Sequence, residues 1–228
     1  MAKYLNIDLI FKDRTDAGKE LANKLFGYKL VSPIVIALPR GGVSVAKPIA
    51  DILHAKLDIM VSKKIGAPGN PELAIGAVTS HGDYVISAYV GSIHELILPG
   101  QNKWDYLQEQ MVYLIKDSSE REARYKEGLT INGKDNQEIS YKDQNIILVD
   151  DGTATGMTAL AAIKSIKKQN PLQIILAIPV ISSEAYDEIK PQVNKIETLK
   201  IPREFIAVGV HYKDFNAVTD EEIKGLLI

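Results

Sequence analysis

The sequence predicts an α/β fold with a doubly wound, mostly parallel sheet and a smaller flap. Runs of β-branched and apolar residues at 34–38 and 145–149 are typical of strands that are buried on both faces. Each run is followed by a glycine-containing turn and then by apolar residues at helical spacing. Repeated strand, turn and helix indicate a parallel sheet that is covered by helices.

Composition narrows the class of protein further. The chain has 228 residues with a formal net charge of -2, which favours one domain over residues 1–228 and disfavours a nucleic-acid partner. No apolar run approaches the roughly 20 residues of a membrane span, and the N-terminus lacks the pattern of a signal peptide, so we expect a cytoplasmic protein without a membrane partner. The absence of cysteine excludes disulfides, thiolate zinc sites and a cysteine nucleophile.

The first half of the chain contains alternating helical and strand patterns. A helical pattern with Leu21, Ala22 and Leu25 precedes the strand at 34–38, and a second helix begins after residue 42. A strand at 57–61 is expected to end at Lys63 and Lys64. The glycines and prolines of residues 66–71 predict a loop.

The second half contains a predicted accessory unit and the end of the sheet. Residues 74–79 and 84–89 predict a hairpin, and 101–126 a long helix; together they suggest a variable flap at about 72–127. After the central motif we expect a strand at 174–179, a helix at 183–189 and short strands at 196–199 and 205–208. Residues 195–228 form a predicted C-terminal segment.

The most informative motif covers residues 145–158. Its buried strand ends at Asp150 and Asp151, and a turn from Gly152 to Gly156 leads into a helix that starts near Met157. Unpaired amides and the helix dipole at such a helix start favour a phosphate group. The motif therefore predicts two acids beside a phosphate site.

Three predicted strands end at charged residues or at a glycine-containing turn. Ligands of parallel α/β sheets bind at the carboxyl ends of the strands, so these residues are expected to meet in one crevice. Basic side chains, acidic side chains and a phosphate-binding loop together suggest a substrate with two separate anionic ends and a hydroxylated middle. Phosphoribosyl pyrophosphate (PRPP) has this layout. The residues are Arg40, Gly41 and Gly42, then Lys63 and Lys64, then Asp150 and Asp151.

These residues resemble the type I phosphoribosyltransferases. The PRPP motif of that family is an apolar strand, two acids, a short variable segment and Thr-Gly, and residues 147–158 match it throughout. The blocks at 11–18, 38–43 and 66–78 are similar to a stand-alone bacterial subgroup whose acceptors are poorly defined. With Asp214-Phe215 and residues 219–222, the resemblance extends from about Phe11 to Glu222.

The resemblance implies a role for each part of the motif. Asp150 and Asp151 would accept hydrogen bonds from the ribose hydroxyls and oppose the positive charge that develops at the anomeric carbon, so they are the candidate catalytic residues. They are also the candidate ligands of Mg²⁺, directly or through water or ribose hydroxyls. The 5-phosphate would be held by the loop residues Gly152, Thr153, Ala154, Thr155, Gly156 and Thr158.

The pyrophosphate end is assigned in the same way. In the family the short loop that corresponds to residues 39–42 grips pyrophosphate, which places Arg40 and the amides of Gly41 and Gly42 there. Only one of Lys63 and Lys64 can face the crevice because alternate side chains of a strand face opposite ways, and the resemblance favours Lys64. Mg²⁺ would neutralise the leaving group. Arg121 and Arg124 suggest a lid over pyrophosphate, although a solvated helix face explains them as well.

The predicted activity is Mg²⁺-dependent transfer of the 5-phosphoribosyl group from PRPP to a nitrogenous base, with release of pyrophosphate, in nucleotide metabolism. Ala154 stands where enzymes for hypoxanthine and guanine usually have Asp, which disfavours a 6-oxopurine acceptor. Acceptor choice is expected to lie in the flap and in the C-terminal segment. Two alternatives stay open: a PRPP-sensing regulator and a hydrolase that uses water as acceptor. The family also suggests a homodimer.

Overall fold

The fold is taken from a computed structural model that describes residues 4–5, 9–88, 90, 103–127, 130–131, 134–135 and 139–227. The α-helices of this part of the chain are α1 (Arg14–Leu25), α2 (Gly41–Leu53), α3 (Lys103–Lys126), α4 (Met157–Lys167), α5 (Ser183–Ile189) and α6 (Asp220–Leu227). The strands are β1 (Ile34–Ala37), β2 (Lys56–Ile59), β3 (Ser62–Ala67), β4 (Asn70–Thr79), β5 (Tyr84–Ile86), β6 (Thr130–Ile131), β7 (Lys134–Asp135), β8 (Asn145–Val149), β9 (Gln173–Val180) and β10 (Lys195–Lys200).

The main sheet is parallel and has the strand order β10-β9-β8-β1-β2. Its alternate side chains enter two cores. Val35 of β1 and Ile147 of β8 pack with α1 and α2 on one face. On the other face, Ile36 and Leu148 pack with α4 and α5. Helices on both faces of a parallel sheet confirm the predicted doubly wound α/β class.

The strand order places a topological switch between β1 and β8. From β1 the chain moves outward to β2, whereas from β8 it moves the other way, to β9 and β10. The connections that leave these two adjacent strands therefore diverge at their carboxyl ends. A crevice opens there, and in folds of this kind it is the place where ligands bind.

A smaller antiparallel sheet, β3-β4-β5, packs against α3 with a core of its own, in which Ile65, Ile75 and Leu107 are buried. The predicted hairpin and long helix are confirmed within the described residues, while position 89 of the hairpin, positions 101–102 of the helix and positions 91–100 of the flap lie outside them. Ala77 of β4 packs against Met157 and Ala161 of α4, which anchors the smaller sheet beside the main one. The flap and C-terminal boundaries stay predictions.

The prediction of a loop at 66–71 is wrong. Gly66 and Ala67 end β3, and Asn70 and Pro71 begin β4, with a two-residue turn between the strands. The pairing shifts register at Gly66, where an added Cβ would lie 2.7 Å from Pro71 Cα. Irregular pairing of this type is where a strand accepts glycine and proline.

Two other predicted strands also differ. The strand expected at 57–61 ends at Ile59, and Lys63 and Lys64 lie in the antiparallel β3 rather than at the end of a parallel strand. Residues 205–208 form no strand, and Val208–His211 form a 3₁₀ turn instead. After Ile59, Met60 N still donates to Ala37 O at 3.0 Å, whereas Val61 O accepts from the Ser80 amide of the smaller sheet at 2.8 Å, so the chain leaves the main sheet at this point.

None of the described helices combines the length and the apolar character that crossing a membrane requires.

A buried ionic network fixes α3 to the edge of the main sheet. Glu122 of α3 accepts a hydrogen bond from the Val61 amide at 2.8 Å and lies 3.0 Å from Lys126 Nζ. Lys126 also lies 2.9 Å from Asp58 of β2, and Asp58 accepts a hydrogen bond from the Tyr141 hydroxyl at 2.8 Å. Every carboxylate of this network has a cation or a donor, as buried charges require.

Glu122 makes the network sensitive to acid. Burial raises its pKa, but the hydrogen bond from His81, the charge of Lys126 and the hydrogen bonds from Ser80 and the Val61 amide outweigh burial and lower the pKa to about 2. A carboxyl group whose pKa is lowered by folding contributes stability that is present above its unfolded pKa and is lost as the pH falls through its folded pKa.

We predict that Glu122→Gln lowers the free energy of unfolding at pH 7 by on the order of 3 kcal/mol, because it leaves buried donors and a cation without their anion. The difference between wild type and variant should shrink as the pH falls from 4.5 towards about 2. Urea unfolding at a series of pH values measures it.

Glu120→Gln is the matched control. Glu120 lies on the same helix, has a side chain that is 58% exposed and lies 4.0 Å from Lys116. Exposed pairs of this kind contribute about 0 to 1 kcal/mol. A difference for Glu122→Gln that stays constant with pH would contradict the assigned role.

Candidate functional site

The candidate site lies in the crevice at the topological switch. Residues 38–42 follow β1, and residues 150–156 follow β8, so the two turns leave adjacent strands at the same edge of the sheet. Leu38 N donates to Val149 O at 2.9 Å, which continues the pairing of the strands into the turns. Two of the three predicted residue groups are thus neighbours.

Asp150 and Asp151 form a coupled acidic pair in the crevice. The Asp151 amide donates to Asp150 Oδ1 at 2.8 Å, so the two carboxylates share a tight turn. Burial, followed by the charge of Asp151, raises the pKa of Asp150 well above its usual value. Burial also raises the pKa of Asp151, while the hydrogen bond and charge of Arg14 oppose that rise. A bound cation or developing positive charge would relieve the repulsion between the acids.

Gly41 allows the β1 turn to touch this pair. A Cβ at position 41 would lie 1.8 Å from Asp151 Oδ2 and 2.7 Å from Arg14 Nε, so any side chain would displace the acid. Gly42 is buried, and its amide donates to Leu38 O at 3.1 Å as α2 begins. Of the two amides expected to face pyrophosphate, that of Gly42 is therefore already engaged within the turn.

The turn after the acids is organised by its own residues. Gly156 has φ +72, a backbone conformation that residues with a Cβ rarely adopt, and this glycine caps the start of α4. The Gly156 amide donates to Thr153 Oγ1 at 2.9 Å, and the Thr153 amide donates to Val180 O at 3.1 Å. Thr153 and Gly156 thus shape the loop, and Gly152 is buried beneath Val208.

The remaining loop residues face outward. Ala154 and Thr155 are exposed, and Thr158 is half-buried in the first turn of α4. Ser182 anchors the loop from below, because its hydroxyl donates to Ala154 O at 2.6 Å. A phosphate on this loop would therefore meet the segment 154–158 at the start of α4, where helix amides and the helix dipole favour an anion.

The two predicted lysines lie on opposite faces of β3, whereas Arg40 lies in the turn after β1. Lys64 is exposed, and its positive charge lowers the pKa of Asp150, which places it on the crevice side. Lys63 points to α3, where its ammonium forms an ion pair with Asp117. Arg40 precedes α2 with a side chain that is 47% exposed and 3.9 Å from Asp220. Strand alternation explains why Lys64 acts on Asp150 while Lys63 pairs with Asp117 instead.

Further cations lie near Lys63. Burial lowers the pKa of Lys63, and the charges of Arg121, Arg124 and Arg40 lower it further. Arg121 and Arg124 lie in the C-terminal half of α3, and Arg40 follows β1, so cations from two elements act on the same strand. A concentration of cations at one end of the crevice suits a polyanion.

A further group closes the other side of the acids. From the sequence, Arg14 is interpreted mainly as part of a helix cap, and Tyr212 and Phe215 belong to the segment expected to choose the acceptor. This group, which we call the terminal clamp, joins Phe11, Arg14, Tyr212 and Phe215 from opposite ends of the chain. Phe11 pairs with Tyr212 in a parallel bridge, and their rings lie 5.2 Å apart. The rings of Tyr212 and Phe215 lie 5.0 Å apart.

The terminal clamp binds Asp151 at two points. Arg14 Nε donates to Asp151 Oδ2 at 2.7 Å, and the Tyr212 hydroxyl donates to Asp151 O at 2.5 Å. Burial raises the pKa of Tyr212, and the charge of Asp151 raises it further, so the hydroxyl keeps its proton. The available signal was the pair of sequence blocks at 11–18 and 214–215, which carry no recognisable chemistry by themselves.

The described residues contain no cluster of three or more His, Cys, Asp and Glu side chains that would enclose a metal ion. The acidic pair nevertheless fits Mg²⁺. This ion is commonly held by one or two carboxylates together with phosphate oxygens of a substrate and water. Asp150 and Asp151 are the residues of the site that would hold it.

Comparisons with known proteins agree with this geometry. The sequence profile described as "Phosphoribosyl transferase domain" matches residues 6–214. Two curated proteins of Mycobacterium tuberculosis, from strains CDC 1551 and H37Rv, are each 31% identical over 218 residues, or 96% of this chain. Their names place them provisionally among the phosphoribosyl transferases. The chain spans 46% of the length of these relatives.

A solved structure is similar over nearly the whole chain. The TT1426 protein of Thermus thermophilus is 35% identical, with a TM-score of 0.75 over 96% of this chain and 98% of that one. The profile match, the motif at 147–158 and the doubly wound sheet all agree. The resemblance to the type I phosphoribosyltransferases is confirmed, and the chain belongs to the phosphoribosyl transferase domain family.

Proposed function

We propose that the protein transfers the 5-phosphoribosyl group of PRPP to a nitrogenous base in a Mg²⁺-dependent reaction that releases pyrophosphate. The observation that carries this proposal is the contact between the two crevice turns, in which an added Cβ at Gly41 would lie 1.8 Å from Asp151 Oδ2. That contact brings a basic turn beside an acidic pair, and the start of α4 follows the pair along the chain.

Each end of PRPP has a complementary part of the crevice. The 5-phosphate would bind the segment 154–158 at the start of α4, and the ribose diol would donate hydrogen bonds to Asp150 and Asp151. The pyrophosphate would face Arg40 and Lys64, with the cations of α3 beyond them. Arginine suits this position because its planar fork binds two phosphate oxygens at once. Bound Mg²⁺ would supply positive charge to the pyrophosphate oxygens.

The chemistry is a substitution at the anomeric carbon. A nitrogen lone pair of the base forms the new C–N bond, and the C–O bond to pyrophosphate breaks with its electron pair on oxygen. Positive charge builds up on the ribose ring in the transition state, and Asp150 and Asp151 lie where they would oppose it. The acceptor nitrogen then loses its proton to water or buffer.

The decisive assay incubates the full chain with PRPP, Mg²⁺ and a panel of nitrogenous bases, and follows pyrophosphate release and nucleotide formation. The proposal expects release that depends on one or more of the bases. Release without any base would favour the hydrolase, and PRPP binding without release would favour the sensor. No PRPP binding by calorimetry at millimolar Mg²⁺ would refute all three. The cytoplasmic location, the role in nucleotide metabolism and the homodimer stay predictions.

We predict that combining Asp150→Asn with Asp151→Asn lowers kcat by about tenfold or more, because the amides cannot oppose the developing positive charge. Circular dichroism should show a retained fold, since both side chains lie in the crevice rather than in either core. Asp105→Asn, at an exposed position of α3, is the control with normal turnover. An unchanged kcat in the double variant would remove both acids from the mechanism.

We also predict that Gly41→Ala lowers kcat by about tenfold or more, because the added methyl group forces Asp151 out of position. Gly225→Ala in α6 is the matched control, since a Cβ there would have no atom within 4 Å. Steady-state kinetics on both variants checks the difference. Equal activity in the two variants would show that the contact of the turns is not needed for turnover.

A further inference from the structure

Arg14 is held in three directions at once. Its Nε donates to Asp151 Oδ2 at 2.7 Å, and its Nη1 donates to the backbone oxygen of Asn216 at 2.8 Å. Its guanidinium carbon lies 3.7 Å from the centroid of the Phe215 ring. The guanidinium of Arg14 is therefore held in a single orientation. Two hydrogen bonds fix it within its own plane, and the Phe215 ring packs against its face.

The pair that Arg14 forms with Asp151 is shielded from water. Their side chains are 12% and 15% exposed. Ion pairs that are withdrawn from water gain little net stability, because the cost of desolvation offsets most of the attraction. The net stability of the pair is therefore a weak reason for Arg14 to bind Asp151 of the crevice. A carboxylate on the surface would stabilise the fold about as well.

The terminal clamp fixes the backbone of Asp151 as well as its carboxylate. The Tyr212 hydroxyl donates to Asp151 O, and Lys213 N donates to Phe11 O at 2.8 Å, so the two chain ends are joined beside the acid. Asp150, in contrast, has its Oδ1 bonded within its own turn. The two acids are thus oriented by different parts of the chain.

We propose that Arg14 is a positioning residue, which orients Asp151 so that its second oxygen faces the ribose of the substrate. This inference rests on the proposed function. Arg14 acts through Asp151 and does not touch the substrate. The planar fork matters because it bonds an acid and a backbone oxygen while its face packs on Phe215, and the compact ammonium of lysine makes no such set of contacts.

Kinetics of Arg14→Ala and Arg14→Lys provides the first test. Arg14→Ala should lower kcat by about 100-fold, since a misplacement of about 1 Å has an effect of that size. The KM for PRPP should change by less than about threefold, because the carboxylate opposes a charge that is present mainly in the transition state. Arg14→Lys should restore only part of the loss. Lys19→Ala, at an exposed position of the same helix, is the control with normal kinetics.

A double-mutant cycle separates positioning from a general structural effect. In the Asp151→Asn background, adding Arg14→Ala should lower kcat by less than about threefold, because the residue through which Arg14 acts is already altered. Additive losses of kcat in the double variant would overturn the proposal. So would full activity in Arg14→Ala, or a loss that follows only the folded fraction measured by circular dichroism.

The outcome also separates this inference from the proposed function. If wild type turns over PRPP and Arg14→Ala does so equally well, the positioning role fails and the proposed function stands. If wild type does not bind PRPP, the proposed function fails, and the positioning role falls with it.

Discussion

The candidate site depends on the close packing of two backbone turns at the carboxyl ends of β1 and β8. These strands are adjacent because the sheet reverses its winding between them. The turns touch only because position 41 lacks a Cβ. Without this contact, the basic turn and the acidic pair would be separate surface features, and the helix start that follows the acids would have no partner across the crevice.

The charged groups near the crevice come from several elements. Lys64 of β3 acts on Asp150, and Arg40, Arg121 and Arg124 act on Lys63 of the same strand. The loop between the acids and α4 is uncharged. The network around Glu122 holds α3 against the sheet edge, so it also holds Arg121 and Arg124 near Lys63. Stability of the flap helix and the electrostatics of the site thus share one set of contacts.

The terminal clamp explains why residues near both ends of the chain belong to the site. Phe11 and Arg14 come from the segment before and at the start of α1, whereas Tyr212 and Phe215 follow the last strand of the sheet. Two of them, Arg14 and Tyr212, form hydrogen bonds to Asp151. The acid pair is therefore asymmetric: local backbone geometry orients Asp150, and long-range contacts orient Asp151.

The sequence by itself determined the strands of the main sheet, the doubly wound class and the motif at 145–158, because hydrophobic period and turn chemistry are local properties. The same motif predicts Asp150 and Asp151 as the acids of the site, while the choice of Lys64 over Lys63 came from the family resemblance. Only the tertiary structure decided that residues 66–71 form two strand ends joined by a two-residue turn, since a register shift accommodates Gly66 beside Pro71. It alone brought Arg14 to Asp151, residues that are 137 positions apart. Such contacts depend on how elements pack, and no local pattern encodes that packing.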